Sequence, residues 1–437
     1  MNISIVGTGY VGLVTGTCFS ELGANVVCMD TDEVKISKLK KGIIPIYEPG
    51  LTELVERNYP GRLRFTSLIS DAVAHGDIIF ISVDTPTLAD NTSDLTNIYN
   101  AVRDIALCMT GYKVIVNKST SPVGTGQSIK REIQSILKMQ GKPFDFDMVS
   151  NPEFLREGNA VVDFMCPDRI VIGAESIKAL EIIEELYARQ AALGIPLVST
   201  DIETAEMVKY ASNAFLAAKI SLMNEIANLC ELCGSDAGIV SEAVGLDKRI
   251  GRHFLNPGPG FGGSCFPKDL RAMLGIAKDN GYTPKIIKSI IDVNEEQKVL
   301  MFRKIKKTVG RLKGKTVTVL GLSFKPGTDD IRESPSIAII RKLLDGGAKV
   351  KVYDPQAMKN TQSQNPDLNV QYCQNTFSAS IKTDCIVLAT EWDQFVCLDF
   401  DHLKKLVRTP VFVDLRNVYN SDDVKKYGFS YTGVGRS

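Results

Sequence analysis

The segment Gly258-Pro259-Gly260-Phe261-Gly262-Gly263-Ser264-Cys265-Phe266-Pro267-Lys268-Asp269 carries the most chemistry in this chain. Its glycines let backbone approach a substrate closely. Pro267 suits the first turn of a helix, where a missing N–H costs nothing. Cys265 therefore falls at or just before a helix N-terminus, where the dipole stabilises a thiolate and makes it a nucleophile. Asp269 lies four residues on and shares its face. Most of the ten cysteines read as small buried hydrophobes; Cys265 is set apart by its glycine and proline surroundings. A second pair, Lys209 and Asn213, is spaced to share one helix face within an otherwise apolar stretch. A lysine there either snorkels or is buried for a purpose. Glu153 and Glu157 repeat that spacing in Asn151-Pro152-Glu153-Phe154-Leu155-Arg156-Glu157-Gly158. Taken alone, they fit a solvated surface as well as paired acid–base groups.

The N-terminus offers a cofactor site. Gly7-Thr8-Gly9-Tyr10-Val11-Gly12 fits G-x-G-x-x-G, follows a short apolar run, precedes a helix, and is followed by a second run ending in Asp30. That is the dinucleotide-binding context. The first glycine makes the turn, the second admits a pyrophosphate, and the third lets helix and strand pack. The helix N-terminus supplies N–H groups to the phosphates. Asp30 can accept from both ribose hydroxyls of NAD and repels the 2′-phosphate of NADP. Lys35, nearby, partly offsets that repulsion. Loops at Thr85-Pro86 and Ser119-Thr120 leave other strand ends toward the same crevice.

These groups need positioning elements. Apolar runs at 3–6, 26–29, 78–83 and 114–116 alternate with helical patterns to about residue 195, which predicts βαβ units and a parallel sheet. From about 200 to 300 the strand signal disappears, and Glu203–Cys233 reads as one long helix. After the hinge Gly310–Lys315, βα alternation returns. The expected fold is α/β: two Rossmann-like parallel-sheet domains (1–199 and 301–437) joined by a central helical domain (200–300). Lys+Arg and Asp+Glu are both 51, with 44% hydrophobic and 23% charged residues. This is a globular composition without the global basic field of a nucleic-acid binder. No apolar run reaches membrane-spanning length and no signal peptide is seen, so a cytoplasmic chain with free thiols is expected. Cys230 and Cys233 form a C-x-x-C without a second pair, which argues for helix packing and against a metal.

At this point the chain resembles the UDP-glucose dehydrogenase family over essentially its whole length. The resemblance rests on the glycine fingerprint, Tyr47-Glu48-Pro49-Gly50-Leu51, Lys118-Ser119-Thr120, the Asn151–Gly158 segment, Lys209-Tyr210-Ala211-Ser212-Asn213, the Cys265 segment, and Phe324-Lys325 with Arg332-Glu333-Ser334. The Cys265 segment is similar to that of nucleotide-sugar 6-dehydrogenases generally. Its spacing and Pro167-Asp168-Arg169-Ile170-Val171 look most like the UDP-glucose branch. The resemblance implies oxidation of the 6-hydroxyl of UDP-glucose to a carboxylate with two NAD. Cys265 is then the nucleophile, Lys209 and Asn213 stabilise oxyanion character, and Asp269 and Thr120 hold a water. Glu153 matches a general base or acid, and Glu157 lines the same region. It further implies cofactor contacts at Gly7, Gly9, Tyr10, Val11, Gly12, Asp30, Lys35, Thr85, Thr120, Glu157, Lys268 and Arg332. Substrate contacts fall at Glu153, Phe154, Leu155, Lys209, Asn213, Phe261, Gly262 and Lys325, with Arg249 reaching a neighbouring subunit's substrate. A homodimer or larger assembly on the helical middle is expected.

Chemistry supports the same reading. An aldehyde has no carbinol hydrogen to lose until a nucleophile adds, so a second oxidation needs a thiol, and the resulting thioester needs water. GDP-mannose and UDP-N-acetylmannosamine dehydrogenases share that logic. A β-hydroxyacid dehydrogenase would need neither Cys265 nor a second α/β domain. A sensor without turnover would not need the catalytic side chains.

Overall fold

Strands form where short Val- and Ile-rich runs end in glycine or polar loops. In this computed structural model, which describes every residue except Ala89, Pro143 and Ser437, the elements begin β1 (Asn2–Val6), α1 (Tyr10–Glu21), β2 (Asn25–Met29), α2 (Glu33–Lys40), α3 (Leu51–Asn58) and β3 (Leu63–Thr66). Next come α4 (Ile69–His75), β4 (Ile78–Ile81), α5 (Thr96–Cys108), β5 (Lys113–Asn117), α6 (Thr125–Met139) and β6 (Phe146–Ser150). They are followed by α7 (Ala160–Met165), β7 (Ile170–Ala174), α8 (Ile177–Leu186), α9 (Ala188–Ala192) and β8 (Leu197–Thr200). Among the described residues, the stretch after β8 holds helices alone: α10 (Ile202–Cys233), α11 (Ala237–Gly245), α12 (Cys265–Asp279) and α13 (Lys285–Val309). The chain then continues with β9 (Thr316–Leu320), α14 (Pro335–Asp345), β10 (Lys349–Tyr353), α15 (Met358–Gln364), β11 (Gln371–Tyr372) and α16 (Thr376–Ser380). It ends with β12 (Cys385–Leu388), α17 (Asp393–Val396), α18 (Phe400–Leu406), β13 (Val411–Asp414), α19 (Ser421–Lys426) and β14 (Ser430–Thr432). Among the described residues no helix is long and apolar enough to cross a membrane.

The chain divides into two compact units. The first holds Met1–Ser212 with Arg271–Tyr282, and the second holds Asn213–Leu270 with the chain from Thr283 onward. The division falls within α10, between Ser212 and Asn213. The helical stretch runs past residue 300, because α13 continues to Val309 before Gly310 ends it at positive φ.

In the first unit the sheet order is β3-β2-β1-β4-β5-β6-β7-β8. Its central strands β1, β4 and β5 are buried on both faces. Ile3, Ile5, Phe80, Val114 and Val116 enter one core cluster, while Val6, Ile79, Ile81 and Ile115 enter another. This is why the strands read as continuous apolar runs rather than alternating ones. One pairing is not parallel: β6 and β7 run antiparallel through Val149–Ala174 and Ser150–Gly173. The order reverses between β1 and β4, and such a switch point opens a crevice at the strands' carboxyl ends.

In the second unit the order is β11-β10-β9-β12-β13-β14, with every pairing parallel. The switch point lies between β9 and β12. Val317, Val319, Val350, Val352 and Val387 pack on Met301 and Ile305 of α13 and on Ala227 and Cys230 of α10. Cys230 is therefore a core residue, as its helical setting suggests, whereas Cys233 at the end of α10 is exposed.

Candidate active site

The first crevice is shaped by its glycines. Gly7 follows β1 at φ +98°, and a Cβ there would meet Ser82 O, just beyond β4, at 2.5 Å. A Cβ on Gly12 would meet Gly7 O at 1.9 Å. Gly9 differs: its nearest neighbour would be Asp84 Oδ1 at 3.8 Å, so its glycine answers to no contact within the protein. Gly9 is also the N-cap of α1 and places no side chain over the first-turn N–H groups of Tyr10, Val11 and Gly12. These features fit a dinucleotide pyrophosphate.

Asp30, at the end of β2, accepts from Thr8 N (2.9 Å), Thr8 Oγ1 (2.8 Å) and Lys35 Nζ (2.8 Å) on Oδ2, and from Asp32 N (3.0 Å) on Oδ1. Burial pushes its carboxyl up, but the bonds from Lys35, Asp32 and Thr8 outweigh it and hold the group below its ordinary range. Lys35 therefore partly neutralises the Asp30 carboxylate. The β4 and β5 loops are tied together, since Thr85 Oγ1 donates to Thr120 O at 2.7 Å. The Tyr10 hydroxyl accepts from Gly158 N at 2.7 Å.

Next in the first unit is a buried cluster of charges. Glu153 Oε1 accepts from Lys209 Nζ at 2.8 Å, and Oε2 accepts from Leu155 N at 2.6 Å. Both partners of that ion pair are buried, so Lys209 does not snorkel. Burial pushes the Glu153 carboxyl up, yet Lys209, Leu155 N–H and Lys118 hold it below the usual carboxylate range. Lys118 donates to Asn151 Oδ1 at 3.0 Å; burial lowers its amine to about 8, with Glu153 opposing and Lys209 adding to the drop. The Phe154 ring carries the Arg169 guanidinium 3.6 Å from its centroid.

The spacing of Glu153 and Glu157 does not act as helical spacing here. Residues 151–157 form an irregular loop, and Gly158 leaves it at φ +79°. Pro152 follows the end of β6 and supplies no N–H for a helical ladder. Glu153 is buried with the lysines, while Glu157 lies half-buried further along. Glu48 holds this loop by accepting from Gly158 N and Ala160 N, each at 2.7 Å.

In the second unit, Cys265 is the first residue of α12 and half-buried. The helix-terminal N–H groups there favour a thiolate. Ser264 Oγ lies 3.6 Å from Cys265 Sγ. Asp269 is buried, accepting from Asn213 Nδ2 at 2.6 Å and pairing with Lys268 Nζ at 2.7 Å. Phe261 is buried, and a Cβ on Gly262 would meet Glu333 O at 2.5 Å. Lys325 Nζ stands 5.5 Å from the Phe324 ring centroid. Arg332 pairs with Asp330 at 2.8 Å, and the exposed Arg249 pairs with Asp247 at 2.6 Å. The first unit thus brings Glu153 to Lys209 and Thr85 to Thr120, and the second brings Asn213 and Lys268 to Asp269. Among the described residues, no group of three His, Cys, Asp or Glu side chains could hold a metal ion.

Models of one family match three successive parts of the chain. Its NAD-binding domain matches residues 1–191, its central domain 203–296, and its UDP-binding domain 318–421. The chain belongs to the UDP-glucose/GDP-mannose dehydrogenase family. Among its relatives, a UDP-glucose 6-dehydrogenase of Rhizobium meliloti is 47% identical over 441 residues, covering 100% of both chains. The UDP-glucose 6-dehydrogenase TuaD of Bacillus subtilis is 48% identical over 435 residues, covering 99% of this chain and 93% of that protein. The solved structure of a UDP-glucose dehydrogenase from Pyrobaculum islandicum superposes with TM-score 0.90 at 39% identity, covering 100% of this chain and 98% of that one.

Some members of the site escape the sequence reading. Lys118 stands in a quoted motif, but nothing in its spacing marks it as one of two buried lysines serving one carboxylate. Glu206, one turn before Lys209, accepts from Gly124 N (2.6 Å) and Gly126 N (2.7 Å) at the start of α6. Its burial raises the carboxyl to about 7. A polar residue in an apolar helical stretch is the available signal, and it is the signal that picked out Lys209.

Proposed function

We infer that this chain oxidises the C6 alcohol of UDP-glucose to the carboxylate of UDP-glucuronate in two successive NAD-dependent steps. The observation that carries the mechanism is Cys265 heading α12, with Asp269 one turn on and bonded to Asn213. NAD, when bound, supplies the hydride acceptor for each oxidation, and the residues fitted to it are Gly7, Gly9, Gly12 and Asp30.

The chain's own groups do the rest. The Cys265 thiolate adds to the aldehyde carbon and forms a C–S bond, and the carbonyl oxygen takes the negative charge. Lys209 and Asn213 stabilise that oxygen, the first by charge and the second by an amide donor. Loss of hydride from the adduct leaves a thioester. A water held by Asp269 and Thr120 attacks it, releasing the acid and restoring the thiol. Glu153, matched to a general base or acid, is kept ionised by two lysines and accepts from Lys209. Lys325 contacts the nucleotide-sugar. These roles are assigned by family motif and supported by burial and bonding within each unit.

The assembly is a homodimer or larger in this reading. Phe215, Leu222 and Leu229 recur every seventh residue of α10 and are all exposed, an apolar stripe suited to an isologous contact. Arg249 then completes the neighbour's site. Free thiols and NAD dependence support a cytoplasmic enzyme in this reading. NADH absorbance against acid formed, over UDP-glucose, GDP-mannose and UDP-N-acetylmannosamine, tests the substrate. Conversion of UDP-glucose with one NADH per sugar overturns the double oxidation. An active monomer in sedimentation overturns the dimer. Cys265→Ala removes the covalent route and is expected to lower acid formation by about 1,000-fold or more while both ligands still bind. Acid formed at near the wild-type rate would end the thiol mechanism.

A further inference from the structure

The glycine-rich segment before Cys265 lies between α11 and α12 and has no regular secondary structure, yet Gly258–Gly263 is buried. Buried backbone N–H and C=O groups need partners. Three side-chain amides supply them. Asn224 Oδ1 on α10 accepts from Gly258 N at 2.8 Å, and Gln297 Nε2 on α13 donates to Gly258 O at 2.8 Å. Asn294 on α13 makes both bonds to one residue: its Oδ1 accepts from Phe261 N at 2.8 Å and its Nδ2 donates to Phe261 O at 3.1 Å. It treats the segment as a neighbouring strand would. Asn228 Nδ2 donates to Gln297 Oε1 at 2.9 Å and so fixes which way that amide faces. Asn224, Asn294 and Gln297 are essentially inaccessible to solvent.

The fit is close. Gly260 has φ +109°, and a Cβ there would lie 2.8 Å from Asn294 Oδ1, so the glycine is needed for the amide to reach Phe261. The Phe261 side chain packs with Ala217, Leu270 and Ile290 and meets the Phe266 ring edge-on at 5.8 Å. Further along, Gly263 N donates to Arg332 O at 2.8 Å. Two bonds from one amide therefore fix the backbone four residues before the thiol, and Cys265 is carried at the end of that fixed stretch.

We propose that Asn294 is a positioning residue for the Cys265 thiol, setting the register of the segment that delivers it, with Gln297 and Asn224 as supports. The proposal rests on Cys265 being the nucleophile. Asn294 touches neither ligand nor reacting atom in this role. It acts through the Phe261 backbone. Reaction rate is steep in the placement of a nucleophile, where roughly 1 Å of error costs about 100-fold. The first oxidation, from alcohol to aldehyde, needs no thiol. Loosening the segment therefore slows the second oxidation selectively.

The test uses full-length Asn294→Leu and Asn294→Asp. Leucine is close in shape and makes neither bond, whereas aspartate keeps the acceptor for Phe261 N–H. With UDP-glucose and NAD, Asn294→Leu is expected to lower acid formation by about 10- to 100-fold. The KM for NAD stays within about twofold, and NADH formed exceeds twice the acid because aldehyde accumulates. The pH profile of Cys265 alkylation by iodoacetamide shifts, and Asn294→Asp recovers part of both effects. A change in melting temperature alone, with wild-type acid yield and an unchanged alkylation profile, overturns the proposal. If Asn294→Leu does not fold, Gln297→Met, which loses the bond to Gly258 O, is read by the same two measurements and decides it. Acid formation by Cys265→Ala would instead show that the underlying mechanism is wrong, an outcome the Asn294 variants do not mimic.

Discussion

The two sheets begin alike and diverge within a few residues. Gly7 and Gly321 each follow the first strand of their sheet at φ +98°. Gly7 N donates to Met29 O at 2.8 Å, and Gly321 N donates to Tyr353 O at 2.9 Å. A Cβ on Gly321 would run into Thr390, just past β12, as one on Gly7 would run into Ser82. From there α1 starts at Tyr10, whereas the second sheet inserts Leu322–Ser334 before α14. The acidic residues at the ends of β2 and β10 part company as well. The Asp30 side chain keeps 12% of its surface accessible. Asp354 is buried: its Oδ2 accepts from Leu322 N, Ser323 N, Ser323 Oγ and Trp392 Nε1, and its Oδ1 from Gln356 N and Ala357 N. A carboxylate so engaged has nothing left for a ribose diol. In the proposed reading the same position serves a ligand in one sheet, while in the other it serves the fold; the family's NAD-binding and UDP-binding models fall on the first and second sheets respectively.

The largest expected effects come from the first loop, and two glycines there separate fold from cofactor. Gly12→Ala places a methyl 1.9 Å from Gly7 O, a backbone atom that cannot step aside. It should cost the first unit its native loop, on the order of 4 kcal/mol or more, and NAD binding with it. Gly9→Ala meets only Asp84 Oδ1 at 3.8 Å. It should melt within a few degrees of wild type and still lose NAD affinity by about 10-fold or more, because the methyl stands where a pyrophosphate approaches. Calorimetry with NAD titration checks both. Wild-type NAD affinity in Gly9→Ala would remove the crevice as the pyrophosphate site.

The acidic residues invert that pattern. Asp354→Ala leaves six bonds, five of them buried, without their acceptor and should destabilise the second unit by about 3–5 kcal/mol. The NAD dissociation constant of the folded fraction should not change. Asp30→Ala should cost little stability and weaken NAD by about 10-fold, a loss of roughly 1.4 kcal/mol, while narrowing the preference over NADP. If Asp354→Ala weakened NAD as Asp30→Ala does, the second sheet would be a cofactor site and the comparison would collapse.

How far this was legible in the sequence follows from the range of each interaction. The strands, the long α10 and the first fingerprint depend on neighbours within a few residues, and they could be read from runs and spacings. Cys265 at a helix start follows from local glycine and proline placement. The antiparallel β6–β7 pairing depends on which strand end meets which, and no local pattern encodes it. The same holds for Lys118 beside Glu153, Glu206 at the start of α6 and Asn294 on Phe261, each joining residues more than thirty positions apart. Asp354 shows the limit most clearly: in sequence it ends a strand after a glycine turn as Asp30 does, and only its buried bonds to Ser323 and Trp392 reveal a different task.

The smallest expected effect sharpens the account of Asp30. Its carboxyl is held below its ordinary range because bonds from Lys35, Asp32 and Thr8 outweigh the cost of burial. A carboxyl whose folded value lies below its unfolded one stabilises the protein while ionised. That contribution is complete above the unfolded value, near 4, and disappears as pH falls through the lower folded value. Asp30→Asn lacks it at every pH. The stability gap between wild type and Asp30→Asn should therefore be widest near neutral pH and shrink as pH falls from about 5 towards about 2. Lys35 and Asp30 are partly exposed, so solvent screening limits the gap to about 1 kcal/mol. Urea unfolding of the two proteins at stepped pH, with salt held constant, gives the difference directly. A gap that stays constant across this range would mean that the bonds to Thr8 and Lys35 do not favour the ionised carboxylate, and Asp30 would lose its standing as a carboxylate prepared to receive two hydroxyl donors.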